Sequence, residues 1–190
     1  MALVSQSKNV NSGEAVHRNT LKFCPQCGAE SLVTEQLPAV LFRCNQCSFS
    51  LFHNVAAAVM VGIVCKDEIL IAIRGRNPGI GMWDFPGGFV DPNESLQQAV
   101  ARELLEELDI HVTSAKLLDS IPNTYPYKGI TYKTCDCFFV VELAEKPLIN
   151  AQDDVAAVEW VKIEDVDVNQ FAFESAKVAY NCLKNYTSQK

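Results

Sequence analysis

The segments Gly88-Phe-Val-Asp-Pro-Asn-Glu94 and Arg102-Glu-Leu-Leu-Glu-Glu-Leu-Asp-Ile110, separated by seven residues, decide the fold of the central part of this chain. Asp91 is a suitable N-cap acceptor, Pro92 suits the first helical position, and Glu94 can complete a capping box. These signals predict a helix that begins at about Pro92 and continues through the second segment.

The predicted helix has two faces of opposite character. At about 100° per residue, one arc is apolar and contains Val100, Ala101, Leu104, Leu105 and Leu108. A separate arc contains Glu103, Glu106 and Glu107. Such an arc can be an ordinary solvated surface, but carboxylates near a helix C-terminus oppose the macrodipole and repel one another. A hard divalent cation such as Mg²⁺ would compensate, because it takes oxygen ligands.

On these residues the chain resembles the Nudix family, whose signature is G-x5-E-x7-R-E-U-x-E-E-x-G-U, with U an aliphatic residue. The match runs from Gly88 to Ile110, and Asp109 stands where the signature has its last glycine. In the family this glycine follows the catalytic helix. The departure therefore concerns how the helix ends, not the metal ligands.

The resemblance implies a pyrophosphohydrolase in which Glu103, Glu106 and Glu107 bind catalytic Mg²⁺ or Mn²⁺. It leaves open whether Glu103 or Glu106 deprotonates the attacking water. Arg102 would hold a helix carboxylate through an ion pair, and Glu94 would stabilise the loop before the helix.

The order of the other elements predicts an α+β fold. Extended stretches and a final helix are predicted at Val55–Val64, Ile69–Ile73, Met82–Val90, Ala115–Ser120, Thr131–Glu142, Val155–Val161 and Glu174–Lys184. Strands around an early helix, with a second helix at the end, indicate a mixed sheet between helices, as in the Nudix α/β/α sandwich. We predict a flexible segment over 1–20, a zinc ribbon over 21–52 and a Nudix domain over 53–190.

Two C-x-x-C pairs precede this domain: Cys24 with Cys27, and Cys44 with Cys47. Their spacing lets two turns present four thiolates to one Zn²⁺ ion, and four thiolates leave no open position for catalysis. The ribbon is therefore predicted to be structural. It would stabilise the protein, contribute a homodimer contact or shape the pocket.

Several further residues are candidates for substrate binding. Gly87 and Gly88 would let the backbone approach the metal site, and a plain turn is the alternative. Aromatic rings in a predicted loop at Asn123–Tyr132 would stack on a base, and loop arginines would contact phosphate; the candidates are Tyr125, Tyr127, Arg74 and Arg76. Asp153 or Asp154 would add one more acid near the metal, or be an ordinary solvated loop residue.

The layout resembles the NADH pyrophosphatase subgroup and its FAD and ADP-ribose relatives. That subgroup carries S-Q-P-W-P-F-P-x-S after the box, whereas this chain has Ser120-Ile-Pro-Asn-Thr-Tyr-Pro-Tyr-Lys128 and lacks the tryptophan. The resemblance implies a small nucleotide substrate without selecting one. A non-catalytic nucleotide sensor and an RNA-end pyrophosphohydrolase are the alternatives.

The composition of the chain bears on its partners and its location in the cell. The chain has 190 residues, 48% of them hydrophobic, and a formal net charge of −7. This charge disfavours broad contact with nucleic acid. Without a membrane-length apolar run or a secretory signal, a cytoplasmic location is expected, with no membrane partner.

Overall fold

The computed structural model describes residues 22–30, 40–52, 54–128, 130–152 and 154–190. It divides into two compact units, Met1–His53 and Asn54–Lys190. The predicted flexible segment 1–20 and the candidate acid Asp153 lie outside the described residues.

The first unit contains a small antiparallel hairpin. Strand β1 (Val40–Arg43) pairs with strand β2 (Ser50–Phe52). Phe42 is 1% exposed and packs in a cluster with Cys24 and Cys44. Among the described residues of this unit, the buried core is therefore built around two of the cysteines.

The second unit is a mixed sheet with one helix on each face. Its elements are β3 (Ala56–Cys65), β4 (Glu68–Arg74), β5 (Trp83–Asp84), α1 (Leu96–Leu108), β6 (Lys116–Tyr127), β7 (Ile130–Glu142), β8 (Val155–Lys162) and α2 (Glu174–Thr187). Short 3-10 turns at Ile163–Asp165 and Val168–Gln170 lead into α2. Strands β3 and β7 are parallel, and the other strand pairs are antiparallel.

The alternation of side chains along β3 explains the two-sided core. Val59, Val61 and Ile63 pack with Val100, Leu104 and Leu108 of α1, whereas Met60 and Val64 pack with α2. Leu105 of the predicted apolar arc is instead 40% exposed. Because β3 is covered on both faces, it reads as a nearly continuous apolar run. This arrangement confirms the predicted α/β/α sandwich with a mixed sheet.

The start of α1 differs from the prediction. The helix begins at Leu96, with Ser95 as its N-cap and a capping box closed by the Gln98 side chain. The Glu94 carboxylate accepts a 2.6 Å hydrogen bond from the Asp91 N–H, which is one half of the predicted capping box, but this bond closes a turn before the helix, and Glu94 also pairs with Arg102. Residues 91–94 are consequently a loop, and the prediction of a start at Pro92 was wrong.

Two further predictions, one of an extended stretch and one of a loop, were also wrong. The extended stretch expected at Met82–Val90 contains only the two-residue strand β5. The loop expected at Asn123–Tyr132 is instead the end of a long hairpin, in which β6 pairs with β7 as far as Tyr127 and Ile130. Pairing with the neighbouring strand overrides the turn signals of the two prolines in β6, Pro122 and Pro126.

The end of α1 shows how the chain accommodates the missing glycine of the signature. Asp109 is the C-cap in the left-handed conformation, with φ 58° and ψ 35°, and its N–H is directed to the carbonyl groups of Leu104 and Leu105. Aspartate tolerates this region better than most residues, although less well than glycine.

We expect Asp109→Gly to raise the free energy of unfolding by about 1 kcal/mol and Asp109→Val to lower it by a similar amount. The measurement is urea denaturation followed by tryptophan fluorescence, since both tryptophans, Trp83 and Trp160, lie in the second unit. Equal stabilities for the glycine and valine variants would contradict the left-handed cap.

Candidate functional site

A pocket of about 330 Å³ lies in the second unit. Its lining includes the loop after β5, the acidic face of α1, and residues from β4, β6, β7 and the start of α2. Strands that are distant in sequence therefore contribute side chains to the same cavity as the helix.

The loop after β5 passes very close to β3. The carbonyl groups of Pro86 and Gly88 accept hydrogen bonds from the Val61 and Val59 N–H groups, at 2.9 and 2.8 Å. A Cβ on Gly87, whose φ is 141°, would lie 2.1 Å from the Val59 carbonyl oxygen. Only glycine fits this position without moving the backbone, so the requirement is more than that of a plain turn.

The same loop meets the carboxylates of α1. The Gly87 N–H donates to Glu107 Oε2 at 2.9 Å, and Glu107 is 6% exposed. A Cβ on Gly88 would lie 2.5 Å from Glu103 Oε1. Glycine at position 88 thus leaves room for the Glu103 carboxylate, and glycine at position 87 lets the loop approach β3 closely enough for its N–H to reach Glu107.

Arg102 connects these carboxylates to the loop before the helix. Its guanidinium makes a two-pronged contact with Glu94, at 2.5 and 3.1 Å, and donates to the Phe89 carbonyl at 2.9 Å. Its Nη1 also donates to Glu103 Oε1 at 2.8 Å and to Glu106 Oε2 at 3.1 Å. Arg102 is therefore the local counter-charge for these three acids, and its Nε also lies 3.9 Å from Asp91 Oδ2.

Burial and the charge of Arg102 together set the pKa values of the acids around α1. Burial raises the pKa of Glu103, and the contact with Arg102 opposes that rise. The hydrogen bond from Arg102 lowers the pKa of Glu94, and the hydrogen bond to Glu94 raises the pKa of Arg102. The group is thus a tightly paired set of charges in partial contact with solvent.

A second polar group in the pocket, which we call the acidic floor, consists of Asp84, Asn123, Thr134 and Asp136. Asp136 is 4% exposed and accepts hydrogen bonds from Thr134 Oγ1 at 2.6 Å and Asn123 Nδ2 at 2.8 Å. Asp84 accepts from Arg74 Nη1 at 2.6 Å and from the Phe85 N–H at 2.9 Å. Burial raises the pKa of Asp84 to about 6, and the charge of Arg74 opposes the rise.

The structure places most of the predicted substrate residues at this pocket. Arg74, Arg76, Gly87, Gly88, Tyr125 and Asp154 line it together with Arg102 and the three helix glutamates. Tyr127 is outside the lining and stacks on Tyr125, with ring centroids 6.1 Å apart.

The two arginines predicted to contact phosphate are each paired with a carboxylate of the same chain. Arg74 is the last residue of β4, not a loop residue, and it pairs with Asp84 and donates to the Pro78 carbonyl. Arg76 forms an ion pair with Asp154, a candidate additional acid. The Gly75 N–H also donates to the Asp154 carbonyl, at 2.7 Å, so this acid is fixed beside the end of β4.

Sequence inspection did not identify the acidic floor or Ser175, although a signal was present. Asp84 and Asp136 each interrupt an apolar or aromatic stretch that was predicted to be extended. A lone acid within such a stretch marks a charge that will be buried and must be paired. Ser175 and Asn123 gave no comparable signal.

The four cysteines of the first unit come together as predicted. Their sulfur atoms all lie within 4.8 Å of one another, and among the described residues this is the one group of three or more potential ligands that converges so closely. Each pair sits on the same kind of turn: the Gly28 N–H donates to the Cys24 carbonyl, and the Ser48 N–H donates to the Cys44 carbonyl. The Cys47 and Gln46 N–H groups lower the pKa of Cys44 to about 6.

The four cysteines of the second unit, Cys65, Cys135, Cys137 and Cys182, form no disulfide bond. Within the part of the chain that the structure describes, no helix combines the length and the hydropathy needed to cross a bilayer.

Residues 53–182 match the NUDIX domain family. The chain belongs to this family. The matched range includes the glycine loop, α1 and the strands that form the pocket, so the resemblance found in the signature extends across the second unit.

Similar proteins include two that carry the name NAD-capped RNA hydrolase NudC. The protein from Vibrio cholerae serotype O1 is 33% identical over 123 residues, which cover 65% of this chain and 44% of the relative. The protein from Yersinia pestis strain Pestoides F is 38% identical over 106 residues, which cover 56% of this chain and 40% of the relative. The matches thus span less than half the length of these curated relatives.

Solved structures show the same fold. A NUDIX hydrolase from Nitrosomonas europaea superposes with a TM-score of 0.64 at 24% identity and covers 90% of this chain and 92% of its own. A bifunctional NMN adenylyltransferase/ADP ribose pyrophosphatase from Francisella tularensis, solved with AMP and a manganese ion, has a TM-score of 0.57 at 25% identity. That match covers 70% of this chain and 42% of the other.

We expect Gly87→Ala to lower the free energy of unfolding by at least about 3 kcal/mol, because its Cβ would collide with the backbone of β3. Gly81→Ala is the matched control. Gly81 also has a positive φ, of 78°, but none of the described residues lies within 4 Å of the added Cβ, so the cost should be about 1 kcal/mol. Tryptophan fluorescence in urea measures both, and equal losses would contradict the close approach.

Proposed function

We propose that this protein is a metal-dependent hydrolase that cleaves a diphosphate bond in a nucleoside diphosphate linked to a second group, such as NADH, FAD or an ADP-ribose-like molecule. The observation that carries the proposal is the arrangement of Glu103, Glu106 and Glu107 beside the backbone of Gly87 and Gly88 in one pocket. Family membership supports the same class of reaction.

The residues at this end of the pocket fit Mg²⁺ or Mn²⁺. Carboxylate oxygens are the ligands that hard divalent cations prefer. The missing Cβ atom of Gly88 leaves space next to Glu103, and the Gly87 N–H faces Glu107. A cation held by Glu103, Glu106 and Glu107 would neutralise phosphate charge and lower the pKa of a bound water. The manganese ion in the Francisella tularensis relative supports this assignment.

The chain's own residues supply orientation and proton transfer. Arg102 holds Glu103 and Glu106 in position through its hydrogen bonds, and the Gly87 N–H holds Glu107. Glu103 or Glu106 would accept the proton of the attacking water, and the two alternatives stay open. Arg76 and Asp154 would meet the phosphates or the metal if substrate opened their ion pair.

The cysteine cluster would hold one structural Zn²⁺ ion. Four sulfur atoms within 4.8 Å, in turns that donate N–H groups to Cys44 Sγ, fit the tetrahedral thiolate site of a zinc ribbon. The domain limits that we propose are a ribbon over 21–52 and a Nudix domain over 53–190.

NAD-capped RNA is a second candidate substrate. The names of the Vibrio cholerae and Yersinia pestis relatives favour it, because such an RNA end contains the same kind of diphosphate linkage. The net charge of −7 counts against extensive contact with the RNA backbone. Both candidates place a nucleotide diphosphate in the pocket.

We expect Glu106→Gln to lower kcat at least about a hundredfold while the fold is retained, because an amide is a poor ligand for a hard cation and cannot act as a base. The assay offers NADH, FAD, ADP-ribose, diadenosine polyphosphates and nucleoside triphosphates with Mg²⁺ or Mn²⁺, and identifies the products. Glu159→Gln, on the exposed surface of β8, is the control and should leave turnover unchanged. Normal turnover by Glu106→Gln would remove this residue from the mechanism.

We expect the purified protein to contain one zinc ion per chain and Cys44→Ser to lose it, because an alcohol is a far weaker zinc ligand than a thiolate. Elemental analysis by mass spectrometry measures the metal. The control is Cys182→Ser, whose sulfur lies in the second unit and is directed to Asp119. A wild-type protein free of zinc, or retention of zinc by Cys44→Ser, would contradict the ribbon.

A further inference from the structure

We propose that the acidic floor and Ser175 bind the exocyclic N–H₂ group of an aromatic heterocycle in the substrate, either an amino group or a carboxamide. The inference rests on the proposed function for the nature of the substrate and goes beyond it by naming what the pocket selects. It also explains three buried polar residues that hydrolysis of the diphosphate does not require, Thr134, Asp136 and Ser175.

The Ser175 hydroxyl is the first observation. Ser175 is the second residue of α2, is 2% exposed and lines the pocket, yet its Oγ has no hydrogen-bond partner among the described residues. A buried hydroxyl without a partner costs roughly 1–3 kcal/mol. This hydroxyl is thus available to a group that enters the pocket.

The hydrogen-bonding capacity of Asp136 is the second observation. Asn123 presents its N–H₂ group to Asp136, because the Asn123 carbonyl oxygen accepts a 2.7 Å bond from the Thr124 N–H. With Thr134 on its other oxygen, Asp136 is held rigidly. A carboxylate has about four lone-pair positions, so Asp136 can still accept from a ligand.

The net charge of the floor decides which ligands fit. Asp84 and Asp136 are two acids, and Arg74 is the cation paired with them, through Asp84. A ligand that donates N–H groups is favoured by this excess of negative charge, whereas a carboxylate or phosphate is repelled. The diphosphate would therefore be kept away from the floor, and a neutral or cationic ring would enter.

Aromatic side chains supply surfaces for such a ring. Phe89, Tyr125 and Phe173 line the same pocket, with centroids 5.8 Å apart for Phe89 and Tyr125 and 5.6 Å apart for Tyr125 and Phe173. Flat apolar faces next to fixed polar groups are typical of sites that bind a heterocycle by stacking and recognise its edge by hydrogen bonds.

The test measures binding of two matched pairs of monophosphates to the wild-type protein by isothermal titration calorimetry. One pair is AMP and IMP, which differ by the purine amino group. The other is nicotinamide mononucleotide and nicotinic acid mononucleotide, which differ by carboxamide against carboxylate. We expect the N–H₂ member of one pair to bind at least about tenfold more tightly, and that pair identifies the source of the group.

Variants then assign the preference to the floor. Ser175→Ala should reduce the ratio of the two affinities in the preferred pair by at least about fivefold. Its thermal midpoint should equal or exceed that of the wild type, since the variant loses no hydrogen bond within the protein and no longer buries an unpartnered hydroxyl. Asp136→Asn should bring the two members of the pair within about threefold, because the charge that selects donors is gone. Ser188→Ala, at the other end of α2, is the control and should leave the ratio intact.

Discrimination of less than about threefold in both pairs, or no measurable binding of any of the four nucleotides, would overturn the inference. An affinity ratio that is the same in Ser175→Ala and in the wild type would also overturn it. This result can be obtained even if Asp136→Asn fails to fold. If the protein discriminates within a pair but hydrolyses none of the diphosphates in the substrate panel, the result would contradict the proposed function and leave this inference standing.

Discussion

The close approach of the Gly87–Gly88 loop to β3 on one side and α1 on the other is the constraint on which the rest of the second unit depends. A Cβ at Gly87 would collide with the Val59 carbonyl, and one at Gly88 would collide with Glu103. Because neither is present, the loop hydrogen-bonds to β3 and its Gly87 N–H reaches Glu107. Moving the loop outward would separate the acidic face of α1 from the backbone that completes the pocket.

The close approach of the loop to α1 brings several carboxylates together, and two arginines compensate part of their negative charge. Arg102 contacts Glu94, Glu103 and Glu106 at once, and Arg74 pairs with Asp84 beside Asp136. Planar guanidinium groups suit this task, because several N–H donors in a fixed geometry can satisfy more than one carboxylate. Both ends of the pocket nevertheless keep an excess of acid over base, which favours occupation of one end by cations and of the other by hydrogen-bond donors.

The sequence predicted those parts of the molecule that are encoded locally. The signature from Gly88 to Ile110, the cysteine spacing and the apolar run of β3 each specify a structure within a short stretch, and the structure confirms the sandwich and the cysteine cluster. The wrong predictions concern segments whose structure is determined by contacts with residues distant in sequence. Glu94 binds Arg102 and closes a turn before the helix, and Asn123 to Tyr127 extend β6 because β7 lies alongside. Isolated local signals could not anticipate those contacts.

The same distinction explains why the reaction class is easier to infer than the substrate. The three glutamates assigned to the metal lie on one helix, and Gly88 lies in the adjoining loop, so a single sequence signature encodes them. The groups assigned to the second part of the substrate come from β5, β6, β7 and α2, and each contributes one or two side chains. A substitution at one such position can change the shape and charge of the pocket without touching the signature. In our proposal, substrate preference therefore depends on how the fold brings Asp84, Asn123, Asp136 and Ser175 to one pocket, and this arrangement is visible only when the strands are assembled.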